Sequence, residues 1–468
     1  MSLEKKPVPI LDSIPKWFEA VSEKKGKAFS GLKAFRSAAI NEFNRQGIPH
    51  KKLEKWRNTD ISNSLSYDYT MATEDFKMQD ILGDVFECDL HELDSIVVNL
   101  YKGRFVYKDS PIYSLENGVI IGSLSAALEK YPEIVEEHLG KYAKNENSPF
   151  IALNSALFLD GLFVYIPKNV IVEKPIQLIN AVGTVEDVFV QNRNLFILEE
   201  NSQLKLIHCD DSYNYKRSFT NSVSEIVLGE HSTIDHYRLQ NINNNSSLLS
   251  YTAVNQSKNS QLSTNSIILN GGLIRNETMV VLNGGGANAD VLGVYLADKN
   301  QHIDNQVFIN HAVPNCTSNE LFKGILDDYA RAVFNGHILV KKDAQKTVAF
   351  QRNANIILTD KAMINTKPFL EIYADDVKCS HGATVGQLDE NALFYIRQRG
   401  ISEDNARILL MYAFAAEVTQ EIKIDSLRDR IEDMVKKRLR GELSICDQCI
   451  LQCSTPEKYK FEIDMNKI

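Results

Sequence analysis

The sequence predicts a mainly β protein whose core is a parallel β-helix, with α-helical segments before and after it. Short β-rich runs recur over about two hundred residues from residue 154 onwards, without one convincing long helix. The interruptions are rich in Asn and Gly, as in residues 241–247 (NINNNSS) and 283–286 (NGGG), which suits turns between stacked coils. A sandwich or barrel also accommodates many short strands, and no strict sequence repeat separates these architectures.

The first 150 residues are predicted to form a mostly helical domain. Apolar residues between Phe35 and Phe43 fall near helical spacing, and Gly47 ends that run. A second helical stretch is expected between residues 121 and 139, with Pro132 at the start of its second half.

Residues 151–385 are predicted to form the β core, and residues 386–441 a C-terminal helical domain. Ser402 is placed to cap one helix, and a second helix carries an apolar stripe made of Leu427, Ile431, Met434 and Leu439. That stripe either packs against the preceding helix or forms a partner-binding face. Residues 442–468 are predicted to form a cysteine-containing tail.

Composition excludes several classes of function. The chain has 468 residues, 44% of them hydrophobic and 24% charged, as is ordinary for a globular protein of two or three units. A net charge of −9 argues against general nucleic-acid binding. The sequence contains no run of eighteen consecutive apolar residues, so no membrane span is predicted. No secretory signal or disulfide framework is evident, and a cytoplasmic location is therefore expected.

Cys379 and His381 are the first candidate for chemistry. They lie two apart in a strand-like segment, so their side chains should share one face, opposite Lys378 and Ser380. A thiolate and an imidazole together suit iron, zinc or a nascent cluster. An assembled cluster usually takes four protein ligands, so two from one chain suggest a site completed by a partner. A buried structural cysteine is the plainer alternative.

The tail holds a second candidate, Cys446, Cys449 and Cys453, spaced C-x₂-C-x₃-C. Three thiolates at this spacing suit zinc or a cluster, but no fourth ligand is near in sequence, and incidental thiols are the alternative. His302 and Asp304 are also two apart and are interpreted as a hydrogen-bonded pair on the wall of the core. The glycines at 284–286 lack the Lys-Ser/Thr ending of a P-loop, so no bound nucleotide is predicted.

Several motifs together resemble the SufB/SufD family of iron–sulfur cluster assembly proteins. The strongest is the run at 371–386 (EIYADDVKCSHGATVG), which continues into 393–402 (LFYIRQRGIS) and 412–417 (YAFAAE). Upstream segments with the same resemblance are 53–60 (LEKWRNTD), 152–154, 160–161, 301–304, 316–324, 333–336, 345–347 and 365–368. The resemblance therefore spans nearly the whole chain.

This resemblance implies a right-handed parallel β-helix between helical domains, in a non-catalytic scaffold subunit. It implies pairing with a SufB-like subunit through the β-helix, and docking of a SufC-like ABC ATPase on the C-terminal helices. Cys379 and His381 would contribute to an iron or iron–sulfur site shared with the partner, and the paired β-helices of the family also allow a homodimer of the isolated chain. Two alternatives stay open: a β-helix carbohydrate-active enzyme, and a stand-alone zinc protein that uses the tail cysteines.

Overall fold

The core is a solenoid of about eight turns made from two facing ten-stranded sheets. The computed structural model describes residues 9–23, 32–73, 93–183 and 186–442. From β5 onwards, successive strands alternate between the two sheets, so each pair of strands makes one coil. The strands are β1 (Ile96–Tyr101), β2 (Arg104–Val106), β3 (Ile112–Ser114), β4 (Ile120–Ser123), β5 (Leu162–Ile166), β6 (Ile176–Val182), β7 (Val188–Leu198), β8 (Gln203–Ser212), β9 (Ser218–Leu228), β10 (Thr233–Asn241), β11 (Ser247–Gln256), β12 (Gln261–Asn270), β13 (Leu273–Leu282), β14 (Asn288–Ala297), β15 (His302–His311), β16 (Thr317–Leu326), β17 (Arg331–Val340), β18 (Thr347–Ile357), β19 (Met363–Ile372) and β20 (Val377–Gly386).

Parallel pairing between successive coils fixes which residues stack on one another. Ile309 of β15, for example, lies between Val280 of β13 and Ile338 of β17 in register. All three are buried in one apolar cluster that runs inside the solenoid from the first coils to the last. The mainly β, solenoid architecture predicted from the sequence is thereby confirmed.

The Asn-rich interruptions form the corners of the coils. Asn tolerates the left-handed backbone region better than most residues, and a tight corner requires that conformation. Stacked corners also bond to one another: the backbone N–H of Asn169 donates to the carbonyl oxygen of Glu200, and that of Asn201 donates to Glu230. The non-glycine corner residues with positive φ are Asn169, Asn201, His231, Asn259, Lys299, Asn315, Asp328 and Lys346.

The N-terminal region combines helices with strands that extend the solenoid. Its α-helices are α1 (Pro9–Glu23), α2 (Leu32–Gln46), α3 (Leu124–Lys130), α4 (Pro132–His138) and α5 (Pro149–Leu157). The structure differs here from the mostly helical expectation, because β1 to β4 also lie within the first 150 residues. Strand β1 pairs in parallel with β6, and β4 pairs antiparallel with β5. Strands β1 and β4 are short and pair with strands that lie far along the chain. The local periodicity of the sequence does not reveal such pairing.

Up to residue 442, three helices follow the solenoid: α6 (Glu390–Arg397), α7 (Glu403–Thr419) and α8 (Asp425–Leu439). As predicted, Ser402 caps α7 by accepting from the backbone N–H of Asn405. Helices α7 and α8 cover the outer face of the sheet that contains β8, β10, β12, β14 and β16, in a shared apolar cluster. Among the described residues, no helix is both long and apolar enough to cross a lipid bilayer.

Candidate metal and partner site on the last coil

The last coil of the solenoid, formed by β19 and β20, has an open edge. Each of these strands is the final member of its sheet, and within the described residues no strand pairs with its outer edge. An unpaired strand edge offers a row of backbone N–H and C=O groups to another chain. Exposed apolar side chains lie on and beside this coil, namely Phe350, Phe369, Ile372, Tyr373 and Val385.

Cys379 and His381 both lie on β20, at the open end. Cys379 is in register with Ala349 of β18, and His381 with Gln351. Ala349 and Gln351 are both buried side chains of the solenoid interior, so the alternation of β20 directs the cysteine and the histidine to that same interior face. The open end nevertheless leaves His381 exposed, while Cys379 is half-buried against the apolar core.

The environment of Cys379 favours its neutral form in the isolated chain. Burial raises the pKa of the Cys379 thiol, and the hydrogen bond to the backbone of Ala349 opposes that shift only in part. A thiol with a raised pKa is a poor nucleophile, but an incoming metal ion displaces its proton and binds the thiolate. Cys379 is therefore suited to remain a neutral thiol in the absence of metal and to bind as a thiolate when a metal ion is present.

The described residues supply too few ligands here for a closed metal centre. Among the described parts of the chain, no three Cys, His, Asp or Glu side chains gather in a group suited to holding a metal ion. The predicted tail ligands Cys446, Cys449 and Cys453 lie outside the described residues. A metal centre at Cys379 and His381 would therefore need further ligands from elsewhere.

The apolar stripe of α8 is buried within the chain itself. Leu427, Ile431 and Met434 lie in the cluster between α7, α8 and the solenoid wall, and Leu439 packs at its edge. Its interpretation as a partner-binding face is therefore corrected: the stripe holds α8 to the body of the protein. The sequence pattern could not show whether the stripe packs within the chain or against a partner, because an apolar stripe has the same spacing in both cases.

The tryptophan segment at residues 53–60 is anchored on the outer wall of the other sheet. Trp56 is buried, and the guanidinium carbon of Arg275 lies 4.0 Å from its ring centroid in a cation–π contact. Arg275 is ion-paired with Asp304, and the hydroxyl of Thr59 donates to the Oδ2 atom of Asp304 at 2.5 Å. This segment therefore straps the N-terminal region to β13 and β15.

His302 completes that anchor and is not bonded directly to Asp304. Its Nε2 atom lies 3.0 Å from the Thr59 hydroxyl oxygen. Because the only proton of that hydroxyl goes to Asp304, the imidazole is the donor. Burial lowers the pKa of His302, which keeps the ring neutral. The sequence analysis found the pair but missed Thr59 and Arg275. The resemblance of the 53–60 segment gave a signal for Thr59 and none for Arg275.

Comparison with known proteins assigns the chain to a family. A family model described as the SUF system FeS cluster assembly, SufBD core domain, matches residues 181–414. A second, described as the SufBD protein N-terminal region, matches residues 17–178. The chain belongs to the SufBD family of iron–sulfur cluster assembly proteins.

Particular relatives cover most of the chain. An iron–sulfur cluster assembly SufBD family protein of Synechocystis is 32% identical over 416 residues, covering 86% of this chain and 90% of the relative. The iron–sulfur cluster assembly protein SufD of Escherichia coli is 28% identical over 408 residues, covering 86% and 92%. SufD of Bacillus subtilis is 26% identical over 328 residues, covering 69% and 75%. The resemblance predicted from the sequence motifs is confirmed.

Proposed function

We propose that this chain is a non-catalytic scaffold subunit of a SufBCD-type complex, in which it contributes to iron acquisition and shares an interfacial site for a nascent iron–sulfur cluster. The observation that carries the proposal is the position of Cys379 and His381 on the open edge of the last coil. The cluster is cargo that is assembled and passed on, so a site that is complete only in the complex fits this role.

The open coil supports pairing with a SufB-like subunit. Free backbone groups on β19 and β20 provide main-chain hydrogen bonds to a second solenoid, and the exposed apolar side chains provide area to bury. Docking there would cover His381 and bring a partner's ligands beside it. The same surface would allow a homodimer of the isolated chain.

A SufC-like ABC ATPase is proposed to dock on the C-terminal helices and to supply the ATP hydrolysis. Because the stripe of α8 is buried, docking would use the side of these helices that faces away from the solenoid. On α6, Phe394 and Tyr395 have 65% and 61% of their surface exposed, which is high for aromatic residues. Family membership favours this assembly role over a carbohydrate-active enzyme, the alternative that the β-helix alone allowed.

Anaerobic co-purification of the chain with its SufB-like and SufC-like counterparts tests the proposal. Wild type is compared with Cys379→Ala and His381→Ala, and bound iron and sulfide are assayed on each purified complex. We expect both variants to form the complex and to lose most of the cluster, because each lacks one ligand of a site that has none to spare.

Ser380→Ala is the matched control, since Ser380 lies between the two candidates on the opposite face of β20 and is exposed. It should retain wild-type iron and sulfide. Unchanged cluster content in both Cys379→Ala and His381→Ala would reject the site and leave the two residues with a structural role.

A further inference from the structure

We infer that Gln351, held by Glu320, is the positioning residue that orients the imidazole of His381 for metal binding. The inference rests on the proposed function, because it takes His381 to be a ligand. It adds to that site two residues of the solenoid interior that carry no ligand role themselves.

The three side chains occupy consecutive rungs of one sheet. Glu320 of β16 is in register with Gln351 of β18, and Gln351 is in register with His381 of β20. Neighbouring strands lie about 4.8 Å apart, and in-register residues of parallel strands point to the same face. Gln351 therefore stands between the buried carboxyl group and the exposed imidazole.

The amide nitrogen of Gln351 has a hydrogen-bond partner among the described residues, and its amide oxygen has none. Its Nε2 atom donates to the Oε2 atom of Glu320 at 2.7 Å, and both residues are buried. The Oε1 atom of Gln351 is buried with no hydrogen-bond partner among the described residues. A buried acceptor without a donor lowers the stability of the folded state by about 1–3 kcal/mol. This oxygen atom of Gln351 lies one strand from the imidazole of His381, which can supply a donor.

The facing sheet leaves room for this arrangement at one glycine. A Cβ atom on Gly336 of β17 would lie 1.9 Å from Nε2 of Gln351 and 2.9 Å from Oε2 of Glu320. Gly336 has an ordinary negative φ, so glycine is needed here because a side chain would not fit, and not because of its backbone conformation. The pair therefore depends on a residue without a side chain across the interior.

The chemistry of a metal-bound imidazole supplies the missing donor. A histidine that ligates through one ring nitrogen usually donates the N–H of the other to a fixed acceptor, which sets the orientation and tautomer of the ring. The Oε1 atom of Gln351 is such an acceptor. Burial raises the pKa of Glu320 to about 8, so near pH 7 the carboxyl group that holds Gln351 is mostly neutral and adds little charge beside the site.

The test measures the affinity of the assembled complex for Zn²⁺, a redox-inert probe, by competition with a chromophoric chelator. Gln351→Met keeps the length of the side chain and removes the acceptor. Loss of such an orienting partner typically weakens metal binding by about 10- to 100-fold, and we expect a decrease of about tenfold. Glu320→Gln retains an acceptor for the Gln351 amide and should bind Zn²⁺ within about twofold of wild type.

The same substitution in a His381→Ala background separates positioning from a general structural effect. If Gln351 acts through His381, Gln351→Met should cause no further loss in that background. Gly336→Ala should mimic Gln351→Met, whereas Gly386→Ala, whose added Cβ would meet no atom within 4 Å, should not.

Three results would overturn the inference. Wild-type affinity in Gln351→Met, when His381→Ala alone is weakened, rejects the positioning role and leaves the proposed function intact. An equal loss on adding Gln351→Met to His381→Ala shows a structural effect. Wild-type affinity in His381→Ala rejects the proposed ligand and the inference with it.

Discussion

At the scale of single residues, the outer wall of the solenoid holds charged groups that are fully enclosed beneath the N-terminal region. The Arg193 guanidinium and the Glu225 carboxylate form an ion pair at 2.7 Å, and neither side chain is exposed. Glu225 also accepts from the backbone N–H groups of Gly140, Tyr142 and Ala143. This one carboxylate thus ties the segment after α4 to strands β7 and β9 of two neighbouring coils.

Arg193→Met should lower the free energy of unfolding by about 3–5 kcal/mol, because it leaves the charge of Glu225 buried without its counter-ion. Denaturant titration of the purified chain measures the change. Lys168→Met is the control, since its ion pair with Glu200 is solvent-exposed and worth at most about 1 kcal/mol. A loss as small as that of the control would show that the backbone donors alone sustain Glu225.

Glu320 predicts a defined pH dependence of stability. Burial raises the pKa of its carboxyl group from 4.5 to about 8, so between these values the folded chain binds a proton that the unfolded chain has released. Its contribution to stability is fully present below the unfolded pKa and is lost as pH rises through the folded pKa. Glu320→Gln should therefore gain stability relative to wild type between pH 5 and pH 8, by up to about 1.4 kcal/mol for each pH unit. The free energy of unfolding of both proteins is measured at pH 5 and at pH 8. The same difference between Glu320→Gln and wild type at both pH values would contradict this prediction.

At the scale of elements, one arginine fixes the last helix to the solenoid. Arg438 of α8 makes a bidentate pair with Asp298 at 2.8 and 2.6 Å, and its Nε atom donates to the carbonyl oxygen of Leu269. Arg438 is largely buried, so these bonds are shielded from water. They lie beside the apolar contacts made by Leu427, Ile431 and Met434.

Arg438→Ala should cost about 2–4 kcal/mol and speed amide hydrogen exchange in α8, because Asp298 and the Leu269 carbonyl lose their donor. Lys437→Ala is the matched control on the same turn. Its pair with Asp433 is partly exposed and four residues apart, so its removal should cost about 0.5 kcal/mol or less. Equal exchange rates in the two variants would mean that the apolar stripe alone docks the helix.

Elements with clear local periodicity were predictable, and those with polar interiors were not. The Ser402 cap of α7 and the apolar stripe of α8 could be predicted from spacing alone. By contrast, β11, β12 and β15 did not stand out, because Ser, Thr, Asn and Gln alternate with apolar residues and many of them are buried. Inside the solenoid, polar side chains bond to one another across the interior, as Asn276 of β13 does to Gln240 of β10 on the facing sheet, so a buried face need not be apolar.

At the scale of the whole molecule, the two ends of the solenoid differ. Helices and the strands β1 to β4 cover the first coils, whereas the described residues leave β19 and β20 without a strand on their outer edges. Stacked coils each need a neighbour on both sides to bury their edges. This asymmetry is why the last coil is the proposed surface for association.

Val385→Lys should weaken association with a SufB-like partner at least tenfold, because it places a charge on the edge strand where the second solenoid would pair. Ile171→Lys is the control, since Ile171 is similarly exposed (56% against 49% for Val385) but lies on the first coil. Analytical ultracentrifugation of the mixed subunits reports both affinities. Equal weakening, or none in Val385→Lys, would move the interface elsewhere.

The sequence by itself determined the class of the protein and the location of its candidate ligands. Short β-rich runs with Asn-rich corners predicted stacked coils, helical spacing marked the last two helices, and motif resemblance pointed to the SufB/SufD family. Strand alternation was enough to place Cys379 and His381 on one face. These signals are local, arising from neighbours a few residues apart, and local signals survive in a sequence without knowledge of the fold.

Only the tertiary structure decided which surfaces are covered and which remain open. It buried the stripe of α8, set Trp56 against Arg275, and placed Gln351 one strand from an edge that no other strand covers within the described residues. The reason is physical: coil stacking joins residues about thirty positions apart, and the hydrogen bond between Thr59 and Asp304 joins residues 245 positions apart. No pattern within a short window specifies which of those distant residues will meet.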